Sequence, residues 1–421
     1  MGPLFYAEHR DRTSEKSGMK VLHVNIARTG GGLEQYLDQL FKELFARGHR
    51  NLLLYGEDSD ATFDLPAVKR FFLKDIGHTD CEDLKTKIDH VQVILDQEKP
   101  DLVFIHQVLN PSLIGFLTKQ LPSLRFVHGF KMICPDGRKM LKAKGMICPF
   151  PLSYHCQLRA YLYRCMPRNP FVGLPQIRRS RTMTCLHKTR SRMIVASEFM
   201  KSILLYNGFK EKRIEYIPLF TYPPGPEVSV PPRDDPIILG VGRIVAEKGM
   251  DYLIRAFARI SHRAKLVILG EGPALDSLKF LAQELNLSER VSFPGWLPHE
   301  RVGEFFRRCT LLVVPSVAAE SFGMVGIEAM SYGKPVLAFD VGGISDWLQH
   351  GETGFLLPPR DEGSLAEKMN LLVESPGLAE QMGRIGRKVV EEKFSPDRHL
   401  KRLVSICEEE IESFRQNDNG H

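Results

Sequence analysis

The residue types best suited to chemistry in this chain fall in two short runs. One is Glu320-Ser-Phe-Gly-Met-Val-Gly-Ile-Glu328, two acids with seven residues between them; the other is Gly240-Val-Gly-Arg243-Ile-Val-Ala-Glu-Lys248-Gly249. Arginine offers a planar fork of donors and lysine a compact point charge, and both suit phosphate oxygens. Two such cations at one strand end fit a single anionic ligand, with a diphosphate the natural choice; taken alone they also suit a solvated surface. Both runs follow apolar, β-branched segments, Leu311–Val314 and Ile237–Val241, and the carboxyl end of such a strand is where open α/β sheets bind ligands. Glu320 would lie in that loop and Glu328 inside the next helix, on its site-facing side. The plainer alternative is a pair of helix-start acids beside the positive end of a helix dipole. A third run, Gly30-Gly31-Gly32, follows the first strand-like segment. It lacks the G-x-G-x-x-G spacing of a dinucleotide fingerprint, which argues against an NAD-dependent oxidoreductase. Glycines there still let helix-start amides approach an anion closely.

These motifs need a scaffold, and apolar periodicity supplies one twice over. Lys20–Ile26 reads as a buried strand, and Leu33, Leu37, Leu40, Phe41 and Leu44 then recur at helical spacing until Gly48. Leu52–Tyr55, Asp101–His106, Leu124–His128, Arg192–Ser197 and Arg213–Ile217 read as further strands, with a helix over 198–207. The proline-rich segment from Pro218 to Pro236 can continue neither a helix nor an interior strand, so it reads as a stiff linker. The alternation then restarts. Strands are expected at Ile237–Val241, Lys265–Leu269, Val291–Phe293, Leu311–Val314 and Val336–Phe339. Helices are expected at Gly249–Ile260, Leu275–Leu285, about 299–308 and 325–332, with a terminal helix over His399–Phe414. Such alternation predicts parallel sheets covered on both faces. The expected class is α/β with two Rossmann-like domains: residues 1–218 with a core over 19–217, a connector at 219–236, a second domain at 237–395, and a terminal segment 396–421 crossing back to the first.

With 43% hydrophobic and 26% charged residues the chain is of the globular class. No stretch approaches the roughly 18–20 uninterrupted apolar residues of a membrane-spanning helix. Met1–Lys20 is mixed and charged, without the apolar core of a secretory signal, so a cytoplasmic location is expected. The net charge of +6 is unevenly spread: Gly137–Ser197 holds no Asp or Glu and thirteen Lys and Arg, among them Arg178, Arg179, Arg181, Lys188, Arg190 and Arg192. Tyr161, Tyr163, Met166 and Phe171 are interleaved. Such a stretch fits either a solvated basic face or an anionic partner, such as the inner face of the plasma membrane or a lipid-linked pyrophosphate. No nucleic-acid recognition module is visible. Of eight cysteines, five (Cys134, Cys148, Cys156, Cys165 and Cys185) fall close together, with Cys81, Cys309 and Cys407 apart. Their spacing lacks the close C-x2-4-C pairs of common zinc sites; reduced thiols are the leading reading, a structural metal the alternative.

In this order the motifs resemble those of the retaining family-4 glycosyltransferases of the GT-B fold. The acid pair, G-R-x4-K-G, Gly270-Glu-Gly-Pro273 and Gly351-Glu-Thr-Gly354-Phe-Leu-Leu-Pro358 carry the resemblance, which runs from about Met19 to the terminal helix. It implies two Rossmann-like domains facing each other across a cleft. It also implies a UDP- or GDP-sugar donor, a glycan or lipid-linked glycan acceptor, retention of configuration, and no metal or other cofactor. In that reading Glu328 accepts hydrogen bonds from the ribose hydroxyls. Glu320 holds a hydroxyl of the donor sugar, beside the backbone of Phe322, Gly323, Met324 and Val325. Arg243 and Lys248 neutralise the diphosphate, with the Gly31 and Gly32 amides supporting it from the other domain, and His128 lies near the reacting sugar. The run His128-x2-Lys131-x2-Cys134-Pro135 is similar to a subgroup that assembles bacterial surface polysaccharide or lipopolysaccharide. Two departures limit the carry-over: Gly129 stands where the family often has Asp, and Leu219-Phe220 follows Pro218 where it often has Asn-Gly or Asn-Pro. Asp58-Ser-Asp60 looks superficially like a metal-binding D-x-D and reads as a loop. The rivals on the same fold are a sugar phosphorylase-like enzyme and an inactive nucleotide-sugar-binding module. An inactive module is expected to have lost Arg243, Lys248 or Glu328, and all three are present.

Overall fold

The computed structural model describes residues 18–27, 32–57, 68–78, 81–224, 235–260 and 264–418. The first half contributes β1 (Lys20–Ala27), β2 (Arg50–Glu57), β3 (Val68–Phe72), β4 (Leu102–Ile105) and β5 (Ser123–Phe126). A small antiparallel hairpin of β6 (Met140–Leu141) and β7 (Met146–Ile147) follows, then β8 (Arg192–Val195) and β9 (Ile214–Tyr216). The sheet runs β3-β2-β1-β4-β5-β8-β9, parallel throughout. The second half contributes β10 (Ile237–Val241), β11 (Lys265–Leu269), β12 (Val291–Gly295), β13 (Leu311–Val314), β14 (Val336–Phe339) and β15 (Gly354–Leu357). Its sheet runs β12-β11-β10-β13-β14-β15, again all parallel. Strands β4, β5, β13 and β14 are buried at every residue, as parallel strands covered on both faces require.

Strand order reverses between β1 and β4 in the first sheet and between β10 and β13 in the second. The two helices that leave a sheet at such a point diverge and open a crevice at the strands' carboxyl ends. The Arg243–Lys248 loop follows β10 and the Glu320–Glu328 run follows β13, so the second crevice is flanked by both motifs.

The terminal helix Pro396–Asp418 packs on the first half. Leu400, Leu403, Ile406 and Ile411 join one core cluster with Tyr36, Leu37, Leu40 and Phe41. The Tyr36 hydroxyl donates to His399 Nε2 at 2.9 Å, and His399 Nδ1–H donates to the Pro218 carbonyl at 2.7 Å. Arg213 pairs with Glu410, and Arg402 with Glu215.

Two sequence expectations change here. The segment read as a linker begins inside the core: Leu219, Phe220 and Thr221 are buried, with Phe220 stacked edge-on to Tyr36 and the Thr221 amide bonded to the Phe394 carbonyl. An aromatic ring outweighs the neighbouring prolines there, and residues 225–234 lie outside the described residues. The acid-free stretch is also not one free basic face. Lys139 is buried and donates to the Phe150 carbonyl, Arg192 pairs with Glu215 and Glu409, and Arg138 reaches Glu247 in the second half at 2.8 Å. Their partners come from outside the stretch or from backbone, so composition alone could not reveal them. Of the basic residues that remain exposed, Lys142, Lys144, Arg164 and Arg168 lie in connections, while helices His155–Tyr163 and Pro170–Arg190 carry Arg178 and Arg181 together with the exposed Leu158, Tyr161, Leu162, Phe171 and Leu174. No helix among the described residues is long and apolar enough to cross a membrane.

Candidate active site

The chain leaves β10 at Val241 and turns through Arg243 to Gly249, where the helix Met250–Phe257 begins. Gly249 is left-handed (φ 63°), and a Cβ there would stand 2.0 Å from the Pro315 carbonyl oxygen. Glycine alone lets this loop close against the end of β13. Lys248 is thereby brought to Glu320: its Nζ donates to Glu320 Oε1 at 2.5 Å, and the Ser316 hydroxyl donates to the same oxygen at 2.5 Å. The backbone of Glu320 is fixed by a bridge to Gly342, with the Gly343 amide donating to its carbonyl at 2.9 Å. Burial by itself pushes the Glu320 carboxyl up. The Lys248 charge and hydrogen bond, the Ser316 hydroxyl and the Arg243 charge outweigh it and hold the group below the ordinary carboxylate value. Glu320 is therefore ionised at neutral pH, and Arg243 stands exposed with its charge in reach of the pair.

Gly323, left-handed at φ 91°, caps the helix Met324–Ser331, and no L-residue with a β-carbon adopts that conformation without strain. Behind it the Phe322 ring is fully buried against Phe394, and the Phe322 carbonyl accepts from Trp347 Nε1 at 2.6 Å. Phe322 thus serves the core through its side chain and faces the crevice at most through its backbone; Met324 and Val325 are half-buried at the helix start. Glu328, one turn further, is 8% exposed. Its Oε1 accepts from Gln35 Nε2 at 3.1 Å, and that same Gln35 nitrogen lies 2.8 Å from His299 Nδ1. Burial pushes the Glu328 carboxyl above its ordinary value, against the opposing charge of His299 and the Gln35 hydrogen bond.

Gln35 belongs to the first half, on the helix Gly32–Ala46 that follows β1, so it spans the crevice between the sheets. Gly32 opens that helix, exposed, with no atom of the described residues beyond its neighbours and its own helix backbone within 4 Å of where a Cβ would stand; Gly31, Asp58 and Asp60 lie outside the described residues. Two further contacts hold the halves together beside the site: the Ser197 hydroxyl donates to the Ser321 carbonyl at 2.6 Å, and the Glu198 amide to Asp346 Oδ2 at 2.6 Å.

His128 sits two residues beyond β5, stacked on Phe126 with ring centroids 4.3 Å apart. Its Nε2 is 3.2 Å from His106 Nδ1, His106 Nε2 is 3.2 Å from His23 Nδ1, and His23 Nε2 is 3.2 Å from Asn51 Oδ1. Burial holds all three rings neutral, lowering His23 to about 3 and the other two well below the histidine range. Among the described residues no hydrogen bond or ion pair ties His128 to the second half.

Arg243, Lys248, Glu320 and the start of the Glu328 helix are therefore gathered at one crevice. Sequence reasoning missed Ser316, Gln35, His299, His106, His23 and Asn51. Ser316 carried a signal, standing four residues before Glu320 at a strand end, and His23 carried another as a polar residue inside an apolar strand. Gln35 and His299 carried none, since their role depends on how two distant segments meet. All eight cysteines are free thiols, with Cys134, Cys148 and Cys156 in electrostatic reach of Cys165. Among the described residues no group of three or more His, Cys, Asp or Glu is placed to hold a metal ion.

Comparison with known proteins gives consistent findings. The family model described as Glycosyltransferase Family 4 matches residues 30–221, and that described as Glycosyl transferases group 1 matches residues 226–389. An alpha-D-kanosaminyltransferase of Streptomyces kanamyceticus is 34% identical over 179 residues, 42% of this chain and 46% of that protein. The chain spans about half the length of the curated relatives it matches. Sucrose-phosphate synthase from Thermosynechococcus elongatus superposes with a TM-score of 0.68 at 22% identity, covering 96% of this chain and 100% of that one. Anabaena HepE in complex with UDP-glucose superposes with a TM-score of 0.66 at 18% identity, covering 94% and 100%. These likenesses establish the fold as GT-B.

Proposed function

The chain belongs to the glycosyltransferases of group 1 and family 4, and on that premise we propose that it moves a sugar from a nucleotide-sugar donor to a glycan or lipid-linked glycan, with retention at the anomeric carbon and without a divalent metal. The observation that carries the reading is the Lys248–Glu320–Ser316 cluster with Arg243 beside it, at the crevice where β10 and β13 diverge. Breaking a sugar–phosphate bond builds positive charge on the ring and negative charge on the leaving diphosphate. Cations fixed in advance toward that growing charge stabilise the transition state by about 3–4 kcal/mol per well-placed donor. Arg243, Lys248 and the helix starts at Gly32 and Met324 supply that field. Glu320, ionised and anchored, accepts from a hydroxyl of the sugar, and Glu328 accepts from the ribose.

UDP-sugars are the first donors to try, since HepE of the same fold is known with UDP and UDP-glucose; GDP-sugars are the second. Neighbours named for lipopolysaccharide synthesis, WaaB and WaaG, support a place in surface polysaccharide assembly. Purified protein incubated with UDP-, GDP- and ADP-sugars in excess chelator, with and without lipid extract, is expected to release nucleoside diphosphate from one donor class. Turnover restored only by magnesium or manganese contradicts the metal-free reading, and nucleotide binding without release from any donor identifies an inactive module.

The exposed surface of the first half supports a place at the face of a membrane, the inner face of the plasma membrane in this reading. Phe171 is 88% exposed and Leu162 65%, on the same pair of helices that carries the exposed Arg178 and Arg181. Apolar side chains with flanking cations favour an anionic bilayer, each basic residue contributing up to about 1 kcal/mol near the surface. Vesicles containing phosphatidylserine are expected to bind the protein in a salt-sensitive way, and Arg178→Glu with Arg181→Glu to release it. Equal binding to neutral vesicles contradicts the proposal.

A further inference from the structure

The hydrogen-bond chain behind His128 has a fixed polarity, and its origin is a backbone carbonyl. Asn51 Nδ2 donates to the Phe41 carbonyl at 3.1 Å. A carbonyl can only accept, so the amide nitrogen of Asn51 is committed to it and Oδ1 faces His23. That oxygen in turn can only accept, which places a hydrogen on His23 Nε2. His23 is completely buried and neutral; a neutral imidazole carries one N–H and one lone pair, so His23 Nδ1 accepts. The same step repeats at His106, also completely buried: its Nε2–H donates to His23, leaving Nδ1 to accept. His128 must then donate from Nε2. An extra proton on His23 or His106 would set two N–H groups against each other; on His128 it would fall on Nδ1, outside the chain, where burial and the nearby Arg125 guanidinium oppose it.

We propose that Asn51, His23 and His106 are positioning residues for His128: their chain of hydrogen bonds locks it in the Nε2–H tautomer, so that its Nδ1 lone pair, not an N–H, is what the ring offers to a sugar hydroxyl. Among the described residues no protein group pairs with that Nδ1. The proposal rests on the reading of His128 as a group beside the reacting sugar. It adds the direction of the contact: the substrate hydroxyl donates and His128 accepts. A sugar lacking that hydroxyl, or carrying an ether in its place, loses the contact.

The test begins with nitrogen NMR on the whole chain labelled with 15N-histidine at neutral pH, the His128 signals identified by their loss in His128→Gln. The expected pattern for His128 is a protonated Nε2 and an unprotonated Nδ1, with the same pattern at His23 and His106. A protonated Nδ1, or a doubly protonated ring, at His128 overturns the proposal without reference to activity or to any variant of the buried residues. Turnover supplies the second arm. His106→Gln keeps both ends of the link, its carbonyl accepting from His128 and its amide donating to His23, and is expected to retain kcat near that of the parent. His106→Phe fills the space without either bond and is expected to lower kcat by about 10- to 100-fold, by analogy with partners that orient a metal-bound imidazole. Equal losses in the two variants overturn the positioning role. If the NMR pattern is as expected while His128→Gln turns over like the parent, the placement of His128 beside the sugar falls and the tautomer assignment stands.

Discussion

Replacing Lys248 by Ala is expected to lower kcat by about 100- to 1000-fold while weakening nucleoside diphosphate binding far less. The asymmetry follows from when its charge is needed. In the bound donor the diphosphate charge is spread over both phosphates and shared among Arg243 and the helix-start amides. As the sugar leaves, charge concentrates on the departing oxygen, and an ammonium fixed toward it gains most at that moment. Loss of one such preorganised donor commonly costs this much in kcat. Lys248 is fixed in advance because its Nζ is bonded to Glu320 Oε1 at 2.5 Å and its loop is closed by Gly249 against Pro315. The substitution has a second consequence at Glu320. With the ammonium gone, both its charge and its hydrogen bond are lost to Glu320, and the carboxyl rises toward what burial favours. In the parent, Glu320 is depressed; its contribution to stability is present above the ordinary carboxylate value and lost as pH falls through the depressed one. In Lys248→Ala the residual activity is expected to fall off on acidification at a higher pH than in the parent. A kcat/KM profile of both proteins against pH reads this; unchanged profiles mean that Lys248 does not control Glu320.

How much of this was legible in advance depended on whether the information was local. The strands β10, β11, β13 and β14 were legible to the residue because each is a short apolar run between turn signals, and their burial on both faces demands such runs. Strand β3 (Val68–Phe72) was not, since Lys69 and Arg70 interrupt it at the sheet edge. The long helix Pro170–Arg190 was hidden too: it starts on an Asn169 cap, contains Pro175, and exposes apolar residues around its surface, so no single helical stripe marks it. The acid pair and the two cations stood out because residue type and spacing reside in one strand-end loop each. Gln35 and His299 meet Glu328 only because two sheets face each other, and no spacing in the chain records that meeting. The three-histidine chain lies between these cases. Each histidine stands in or beyond an inner strand, and their alignment needs the order β1-β4-β5 in the sheet.

The second large effect concerns Glu328, and it separates binding from chemistry. The ribose hydroxyls that this carboxylate would accept do not change during reaction, so their loss lowers affinity for donor and free nucleotide alike. Hydrogen bonds to a charged group contribute about 1.5–3 kcal/mol, which corresponds to roughly 10- to 100-fold in affinity. The carboxylate is raised by burial, and this sets the sign of the pH dependence. A raised acid favours the folded state most when protonated, a contribution present below the ordinary carboxylate value and lost as pH rises through the raised one. Nucleotide binding runs the other way, because only the ionised form accepts from two hydroxyls: affinity is expected to weaken as pH falls through that raised value, and Glu328→Gln to flatten the dependence. Gln35 opposes the ligand by occupying Oε1 in the free site. The most direct test of the whole account is calorimetric titration of UDP and GDP into the parent and into Glu328→Ala, beside donor kinetics for both. The expected result is a 10- to 100-fold weaker nucleotide and a matching rise in donor KM, with kcat changed far less than by Lys248→Ala. Parental nucleotide affinity with turnover abolished would contradict it, and would move Glu328 from the nucleotide to the reacting centre.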